Sequence, residues 1–375
     1  MKIAEHFDKP SRIERILIIQ LGDIGDVVWS LPALRAVREA YPDAAVSMLL
    51  REGNGELLAA DISPPEIFEV KNGGRGSFRT LSVSLGLIRE LRRKRFDLVF
   101  DLRGDERGGY TARLTGAPIR VAQYYPGLSW IRNRMFTHLT PLSDGEPGER
   151  AAGPSMSMLR AFAIETGSTV PELHLSEQAR LRAAKILREA GVHPAVEKAV
   201  GQGVAPFPAR SRFPWVTVNP FSRWSYKEWS PEKWVRVIDW LWRELGVAAV
   251  IVGSPPERAR SGELMRGCGG KVFNLAGRTT LAELAGVLEK GRLHIGVDSA
   301  APHIAAAVGT PTVTLYGPSN WRYWAPPGKD HRVAVCGMAC APCGLKGCDG
   351  SGVSRCMDDL TVEKVQAVLR EALAD

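Results

Sequence analysis

A strand, a glycine-punctuated turn and a helix follow one another between residues 15 and 43, and this succession most constrains what the chain can fold into. The apolar, β-branched run at 16–19 predicts a strand buried on both faces, as strands of parallel sheets are. The apolar residues that follow recur at helical spacing until Tyr41 and Pro42 end the helix. The unit therefore predicts an open α/β sheet, in which ligands bind at the carboxyl ends of the strands.

The turn after the first strand, Gly22-Asp23-Ile24-Gly25-Asp26, carries two glycines and two carboxylates. A dinucleotide fingerprint would place three glycines here, and two acids would repel a phosphate group, so we assign no nucleotide to this turn. Asp26 is a candidate general base, because it follows the carboxyl end of the first strand. The alternative is that Asp23 or Asp26 only caps the helix. The residues alone leave both interpretations open.

The alternation of strands and helices continues through the first half and restarts in the second. Four stretches rich in Gly, Pro or charge interrupt it, at 72–76, 143–154, 166–171 and 193–214. They predict loops, and the third places a domain boundary near residue 172. We therefore predict an α/β protein with two Rossmann-like, doubly wound domains facing a central cleft. The predicted parts are 1–172, 173–360 and a last amphipathic helix within 361–375.

Composition narrows the class of protein. The chain is 45% apolar and 24% charged, which is ordinary for a soluble globular protein. No apolar run reaches the roughly 18 residues that a membrane helix needs. The first 15 residues are charged throughout and lack the apolar core of a signal peptide. We therefore expect a cytoplasmic protein.

The net charge of +8 is unevenly distributed, since residues 79–135 hold 12 Lys and Arg against 5 Asp and Glu. Such a surface suits an acidic or phosphorylated partner, such as a membrane surface or a charged glycolipid. A solvated helix face is the alternative for the run at 89–95. No nucleic-acid-binding module accompanies the charge, so nucleic acid is not an expected partner. Arg103 and Arg107 follow the strand predicted at 96–102 and are candidates for binding an anionic acceptor.

Polar side chains also follow the predicted strands of the second half, where a nucleotide would bind. They are Ser222, Lys227, Glu257, Asp298, Ser299 and His303. A lysine can neutralise a diphosphate, N–H groups at a helix start can bind phosphate oxygens, and an acid can hold a pair of ribose hydroxyls. Taken singly, these side chains also fit a surface lysine, a helix cap or a core histidine. Their shared position favours a nucleotide site.

Five segments carry a resemblance to a known family. They are ILIIQLGDIGDVVWSLPALRAVREAYPDA, FDLVFDLRGDERGGYTARLTGAP, VTVNPFSRWSYKEWSPEKW, VGSPPE and GVDSAAPHIAAAVGTPTVTLYGPSN. Over nearly its whole length the chain resembles the heptosyltransferases of glycosyltransferase family nine, which build the inner core of lipopolysaccharide from ADP-heptose. The resemblance implies a GT-B fold, with an acceptor domain at 1–172 and a nucleotide-sugar domain at 173–360. It also implies that the last helix, 362–373, returns to the first domain.

The resemblance assigns roles to individual residues. Asp26 falls on the position of the catalytic base. The implied donor-binding positions are Ser222, Lys227, Glu257, Thr279, Asp298, Ser299, Ala300 and His303. Ala300 departs from the glycine that is usual in the family, and Asp23 departs from a small residue. A methyl group at position 300 could change how the donor lies, because glycine permits a closer approach of the backbone.

The implied reaction is direct displacement at the anomeric carbon with inversion. It needs no metal and no other cofactor, because a lysine and a helix terminus stabilise the departing ADP. The expected partners are ADP-heptose or a similar nucleotide sugar, and a phosphorylated glycolipid acceptor at the inner face of the inner membrane. The alternatives are a sugar-nucleotide epimerase of the same fold, which would need no acceptor, and a binding module without activity.

The cysteines form a separate feature of the sequence. Five of the six lie near the end of the second half, at Cys336, Cys340, Cys343, Cys348 and Cys356. The Cys-x-x-Cys pair formed by the second and third has the spacing of metal ligands, so a structural metal site is one interpretation. Disulfides are the weaker alternative, because a cytosolic chain should keep its thiols reduced.

Overall fold

The computed structural model describes residues 2–71, 78–192 and 215–374, with the backbone alone for 78–84. The loops predicted at 72–76 and 193–214 lie outside the described residues. Among the residues described, no helix is both long and apolar enough to cross a membrane.

The chain folds into two compact units. One consists of Met1–Ala59 and Ser63–Glu172, and the other of Ala60–Ile62 and Leu173–Asp375. The short segment from the first half belongs to the second unit because Asp61 forms an antiparallel bridge with Leu175. The backbone N–H of Ile62 also donates to the carbonyl oxygen of His174, at 2.7 Å.

The first unit is built on a parallel sheet of seven described strands. In chain order they are β1 Lys2–Ile3, β2 Arg15–Gln20, β3 Ala45–Arg51, β4 Glu66–Val70, β5 Leu98–Asp101, β6 Ile119–Gln123 and β7 His138–Thr140. Their spatial order is β1-β7-β6-β5-β2-β3-β4. The helices are α1 Ile24–Trp29, α2 Leu31–Ala40, α3 Gly55–Leu58, α4 Phe78–Lys94, α5 Glu106–Thr115, α6 Trp130–Arg134 and α7 Gly153–Arg160.

Strand β2 lies inside this sheet, between β5 and β3. Its four residues Ile16–Ile19 are fully buried, which confirms a strand covered on both faces. Leu17 and Ile19 pack with Leu49 of β3 and Val99 of β5 in one apolar cluster. Because β-branched side chains fit the pleated, buried surface of a sheet, the apolar run at 16–19 forms the centre of the unit.

The second unit repeats this plan with six described strands, all parallel. They are β8 Trp215–Asn219, β9 Ala248–Ile251, β10 Val272–Asn274, β11 His294–Val297, β12 Thr312–Leu315 and β13 His331–Ala334, in the spatial order β10-β9-β8-β11-β12-β13. The helices are α8 Glu177–Glu189, α9 Pro231–Leu245, α10 Arg258–Gly267, α11 Leu281–Lys290, α12 Ala300–Ala307, α13 Trp321–Trp324, α14 Arg355–Asp358 and α15 Val362–Ala374. The prediction of two doubly wound, parallel α/β domains is therefore confirmed.

Both faces of the second sheet are covered. Val216 and Val218 of β8 point into a cluster with Trp234 of α9. Trp215 of the same strand lies in the opposite cluster, with Leu187 of α8. This alternation is the period of two expected of a strand, and covering both faces is the usual condition of a parallel sheet.

The last helix, α15, packs on the second unit. Its buried residues Val365, Leu369 and Leu373 belong to the cluster that also holds Trp234 and Leu241 of α9. The structure groups this helix with the second unit, and its return to the first domain stays a prediction. The apolar face read from the sequence is present, but it is buried against α9, β12 and β13.

The strand order creates one topological switch point in each sheet. In the first sheet, the chain passes from β2 to its neighbour β3 on one side, and the later strand β5 lies on the other side of β2. In the second, β8 is followed by β9 on one side and has β11 on the other. Ligands of open α/β sheets bind outside the carboxyl ends of the strands at such points. The residues that follow β2, β5, β8 and β11 therefore lie where a ligand of such a sheet would bind.

Candidate active site

Asp26 lies in the first turn of α1, directly beyond the end of β2. Its Oδ2 atom accepts a hydrogen bond of 2.7 Å from the backbone N–H of Asp23. Gly22 permits this arrangement, since a Cβ atom at that position would come within 2.4 Å of Oδ2. Asp26 thus takes part in capping its own helix, which is the alternative that the sequence left open. The contact uses one carboxylate oxygen and keeps the side chain at the strand end.

The environment of Asp26 changes its acidity. Burial raises its pKa above the ordinary aspartate value, against the lowering effects of the Asp23 N–H and of Arg103. The side chain nevertheless remains 30% exposed. A carboxylate with a raised pKa is a better proton acceptor near neutral pH than an ordinary one. Asp23 has a different partner, because its Oδ1 lies 2.5 Å from Nη1 of Arg51.

Arg103 follows β5 and reaches the same site. Its Nη1 atom lies 3.7 Å from Oδ2 of Asp26, and its Nε atom lies 3.1 Å from Oδ2 of Asp105. The structure thus brings the predicted base and one of the two predicted acceptor-binding arginines together. Arg107 lies farther along, exposed in the first turn of α5.

Sequence reasoning missed two buried residues that hold the turn carrying Arg103. Asp101, the last residue of β5, accepts through Oδ1 from the N–H groups of Gly104, at 2.9 Å, and of Arg103, at 3.3 Å. From the other side, Nε of Arg132 donates to the carbonyl oxygen of Gly104, at 2.7 Å. Gly104 has a positive φ of 64°, and a Cβ atom there would lie 2.3 Å from Arg132 Nη2. The turn is therefore clamped from both sides.

Burial raises the pKa of Asp101 to about 7. Its Oδ2 atom has no hydrogen-bond partner among the described residues, and Gly108 lies so close that a Cβ there would be 2.2 Å from that oxygen. The sequence signal for this position was the acid at the end of a fully apolar strand, followed by two small residues at 104 and 108.

In the second unit, the two segments that leave β8 and β11 meet through an ion pair. Nζ of Lys227 donates to Oδ2 of Asp298 at 2.6 Å, and both side chains are largely buried. Oγ of Ser222 donates to the backbone carbonyl of Asp298 at 3.3 Å. Residues predicted from separate strand ends therefore form one cluster at the switch point of the second sheet.

The loop that carries Lys227 is held by another residue that sequence reasoning missed. Glu228 accepts through Oε1 from the backbone N–H of Ser222, at 3.0 Å, and from Nη1 of Arg260, at 3.1 Å. Arg260 in turn stacks its guanidinium on the ring of Phe221. These contacts close the segment 221–228 into a compact loop that projects Lys227 toward Asp298.

Helix α12 begins next to this pair. Ser299 is its N-cap and Ala300 its first residue, and Oγ of Ser299 accepts from Nδ2 of Asn219 at 3.3 Å. The free N–H groups at a helix start form a site for anions. His303 lies in the same helix, and its burial lowers its pKa to about 4, so the ring is neutral at pH 7.

Glu257 and Thr279 lie at neighbouring strand ends of the second sheet. Oε2 of Glu257 accepts from the backbone N–H of Ser254 at 2.6 Å, which closes the 3-10 turn after β9. Thr279 is half-buried and directly precedes Thr280, the cap of α11. The N–H of Gly277 donates to the carbonyl oxygen of Gly253 at 2.9 Å and joins the two loops. The structure thus gives Glu257 a capping role within its own turn.

The cysteine-rich segment carries its cysteines as free thiols. Within the described ranges, no group of three or more His, Cys, Asp or Glu side chains could hold a metal ion, and all six cysteines are free thiols. Burial, with the nearby thiols of Cys336, Cys343 and Cys348, raises the pKa of Cys356 to about 11. The structural metal site therefore stays a prediction.

Comparison with known proteins places this geometry in context. Residues 84–353 match the family model described as glycosyltransferase family 9 (heptosyltransferase). The chain is 29% identical to lipopolysaccharide heptosyltransferase 3 of Escherichia coli K12 over 306 residues, which cover 80% of this chain and 82% of that protein. It is 24% identical to lipopolysaccharide heptosyltransferase 1 of Pseudomonas aeruginosa over 343 residues, which cover 89% of this chain and 87% of that protein.

Solved structures with the same fold include a glycosyltransferase family 9 protein from Veillonella parvula. Its TM-score is 0.76 at 20% identity, and the match covers 99% of both chains. The ADP-heptose lipopolysaccharide heptosyltransferase II of E. coli has a TM-score of 0.70 at 20% identity, covering 96% of this chain and 98% of the other. The region matched by the family model contains every predicted donor-binding residue, whereas Asp26 lies before it.

Proposed function

Because the chain belongs to glycosyltransferase family 9, the heptosyltransferases, as its motifs predicted, we propose that it moves a heptose from ADP-heptose to a phosphorylated inner-core sugar of lipopolysaccharide. Its curated relatives are lipopolysaccharide heptosyltransferases. The proposal adds the donor, an inverting displacement, independence from metal ions and the roles of individual residues.

The ion pair of Lys227 and Asp298 is the observation that carries this proposal. Lys227 and Asp298 are paired at the switch point of the second sheet, beside the start of α12. An ammonium group has three donors, so Lys227 can hold Asp298 and a phosphate oxygen at the same time. The N–H groups of Ser299 and Ala300 and the hydroxyl of Ser222 supply further donors for the diphosphate.

The rest of the donor would be bound by the neighbouring loops. A carboxylate has two oxygens with about four acceptor sites. Glu257 can therefore keep its bond to the Ser254 N–H and still accept from a ribose hydroxyl, with Thr279 beside it. His303 is neutral because its burial lowers its pKa to about 4. Its ring can therefore donate one hydrogen bond and accept another, with the nucleotide sugar or with the loop around Asp298.

The first unit would bind the acceptor and provide the base. The hydroxyl oxygen of the acceptor attacks the anomeric carbon, and a carboxylate oxygen of Asp26 takes the proton of that hydroxyl. The new C–O bond forms while the bond from the anomeric carbon to the phosphate oxygen breaks, and ADP leaves with the electron pair. A single displacement of this kind inverts the anomeric carbon. Arg103 and Arg107 would bind the anionic groups of the acceptor.

Stabilisation of the leaving group is assigned to the protein itself. With the donor bound as proposed, the positive charge of Lys227 and the N–H groups at the start of α12 would face the diphosphate, where negative charge develops. Donors fixed in advance cost little reorganisation during the reaction, which is why such terms are large in catalysis. The proposed reaction therefore requires no divalent ion.

The test is to incubate the protein with ADP-heptose, with and without a Kdo–lipid A type acceptor, in the presence of a chelator, and to follow ADP release and the sugar products. ADP release that depends on the acceptor and persists with the chelator supports the proposal. A new sugar nucleotide formed without acceptor would indicate an epimerase instead. Binding of ADP without any turnover would indicate a binding module, and loss of activity in the chelator would contradict metal independence.

A further inference from the structure

Helices α5 and α6 of the first unit pack together and expose large apolar side chains. The exposed residues are Tyr110, Leu114, Leu128, Trp130 and Ile131. Trp130 is 65% exposed, although a tryptophan usually buries most of its ring. Residues 126–131 form a continuous exposed run that leads into α6. We call this set of five apolar side chains the apolar surface.

Arginines surround the apolar surface. Arg113 is exposed on α5, and the guanidinium of Arg134 lies 4.8 Å from the ring centroid of Trp130. Helix α4 packs on α5 and adds the exposed Arg92 and Arg93. Glu106 is the exposed acid on α5, and its Oε1 accepts from Oγ of Ser129. The exposed residues of these three helices thus combine a tryptophan and aliphatic side chains with several cations and two acids, Glu90 and Glu106.

The apolar surface is joined to the site of Asp26. Arg132 lies two residues after Trp130 in α6, is fully buried and donates to the carbonyl oxygen of Gly104. That carbonyl belongs to the turn that carries Arg103. The apolar surface therefore adjoins the edge of the sheet where the acceptor hydroxyl would meet its base.

We propose that the apolar surface docks the chain on an anionic phospholipid bilayer. Tryptophan and leucine insert at the boundary between headgroups and acyl chains, while arginines bind the lipid phosphates. The cations interleaved with the apolar side chains favour this occupant over a protein partner, because each arginine placed at an anionic bilayer finds a phosphate. The reason for docking rests on the proposed glycolipid acceptor, but the docking itself is measured without any substrate.

The experiment is co-sedimentation of the full chain with vesicles. One set contains phosphatidylcholine alone, and the other contains equal parts of phosphatidylcholine and phosphatidylglycerol. We expect binding to the anionic vesicles that weakens as salt is raised, because salt screens the charges. Absence of binding to the anionic vesicles, or equal binding to both sets, would overturn the proposal.

Two double variants divide the contributions. Arg113→Gln with Arg134→Gln should weaken binding to anionic vesicles about tenfold or more. Leu114→Ala with Trp130→Ala should weaken it about tenfold, through lost apolar contact. The matched control is Leu181→Ala with Arg182→Gln, two exposed residues of α8 in the second unit. Equal loss in the control, or unchanged binding in both test variants, would show that the apolar surface is not the docking site.

Activity separates this proposal from the proposed function. With a water-soluble, deacylated acceptor, both double variants should transfer sugar at the rate of the unmodified chain. With the acylated acceptor in anionic vesicles, their rate should fall in proportion to binding. If the chain binds vesicles but transfers no heptose, the proposed function fails while the docking surface stands. If it transfers heptose but does not bind vesicles, only the docking surface fails.

Discussion

Nζ of Lys227 lies 2.6 Å from Oδ2 of Asp298, and the two residues are delivered by β8 and β11, which are neighbours in the second sheet. The pair fixes a cation beside the start of α12, at the switch point of that sheet. Four predictions follow from this relationship and from its counterpart around Asp26 in the first unit.

Replacing Lys227 with Ala should weaken ADP binding by about tenfold to a hundredfold, because a charge-assisted hydrogen bond is lost. The change would also leave Asp298, whose side chain is 8% exposed, without its cation. Titration calorimetry with ADP measures the effect. Lys185→Ala on α8, where the side chain is 71% exposed, is the control and should bind ADP as the unmodified chain does. Equal affinities of the Lys227 and Lys185 variants would contradict the donor site.

Replacing Asp26 with Asn should reduce turnover by about 10²–10⁴-fold, which is the usual contribution of a general base. ADP affinity should remain unchanged, because Asp26 belongs to the first unit and the donor residues belong to the second. Asp23→Asn is a close control, since Asp23 lies in the same turn and pairs with Arg51. It should keep most of the activity. Normal turnover by the Asp26 variant in steady-state assays would remove Asp26 from the mechanism.

The pH dependence of kcat/KM should report the pKa of Asp26. Because burial raises that pKa and only the carboxylate can accept a proton, activity should fall on acidification at a higher pH than for an ordinary aspartate. Replacing Arg103 with Gln removes a cation 3.7 Å from Oδ2 and should raise the pKa further. The acid limb should therefore move to higher pH in this variant. A limb that stays in place or moves to lower pH would show that Arg103 does not act on the base.

Asp101 should make the free energy of unfolding depend on pH. The pKa of Asp101 is about 7 in the folded state and 3.8 ordinarily. Between these two pH values the folded state holds a proton that the unfolded state has released. The stability that Asp101 contributes is therefore full below about pH 4 and is lost as the pH rises to about 7. In Asp101→Asn this loss, a few kcal/mol at most, should disappear. Urea unfolding of both proteins across this range measures it, and parallel curves would refute the prediction.

Much of the fold could be predicted from local pattern. All four residues at 16–19 are apolar, and a strand with four consecutive apolar side chains needs both of its faces covered. The rule that ligands bind at the carboxyl ends of parallel strands then singled out Lys227 and Asp298, which the structure pairs although they lie 71 residues apart. Their meeting depends on β8 and β11 being neighbours, so topology supplied what spacing alone could not.

The parts that could not be predicted depend on long-range packing. Arg132 belongs to a short segment with a polar pattern, and a fully buried arginine is rare. Its burial follows from contacts with the carbonyl oxygen of Gly104 and the ring of Phe136. The apolar face of α15 was visible, but the sequence does not say which unit covers it. The bond from the Ser254 N–H to Glu257 could not be predicted either, because it depends on the exact geometry of the turn.

The short segment Ala60–Ile62, which joins the second unit from within the first half of the chain, bears on recombination between related genes. The polypeptide changes unit three times, so a single crossover at residue 172 would not exchange intact halves. A chimera made that way would combine Asp61 from one parent with Leu175 from the other. We therefore expect exchange of the second unit to preserve these contacts when residues 60–62 are exchanged together with the second half.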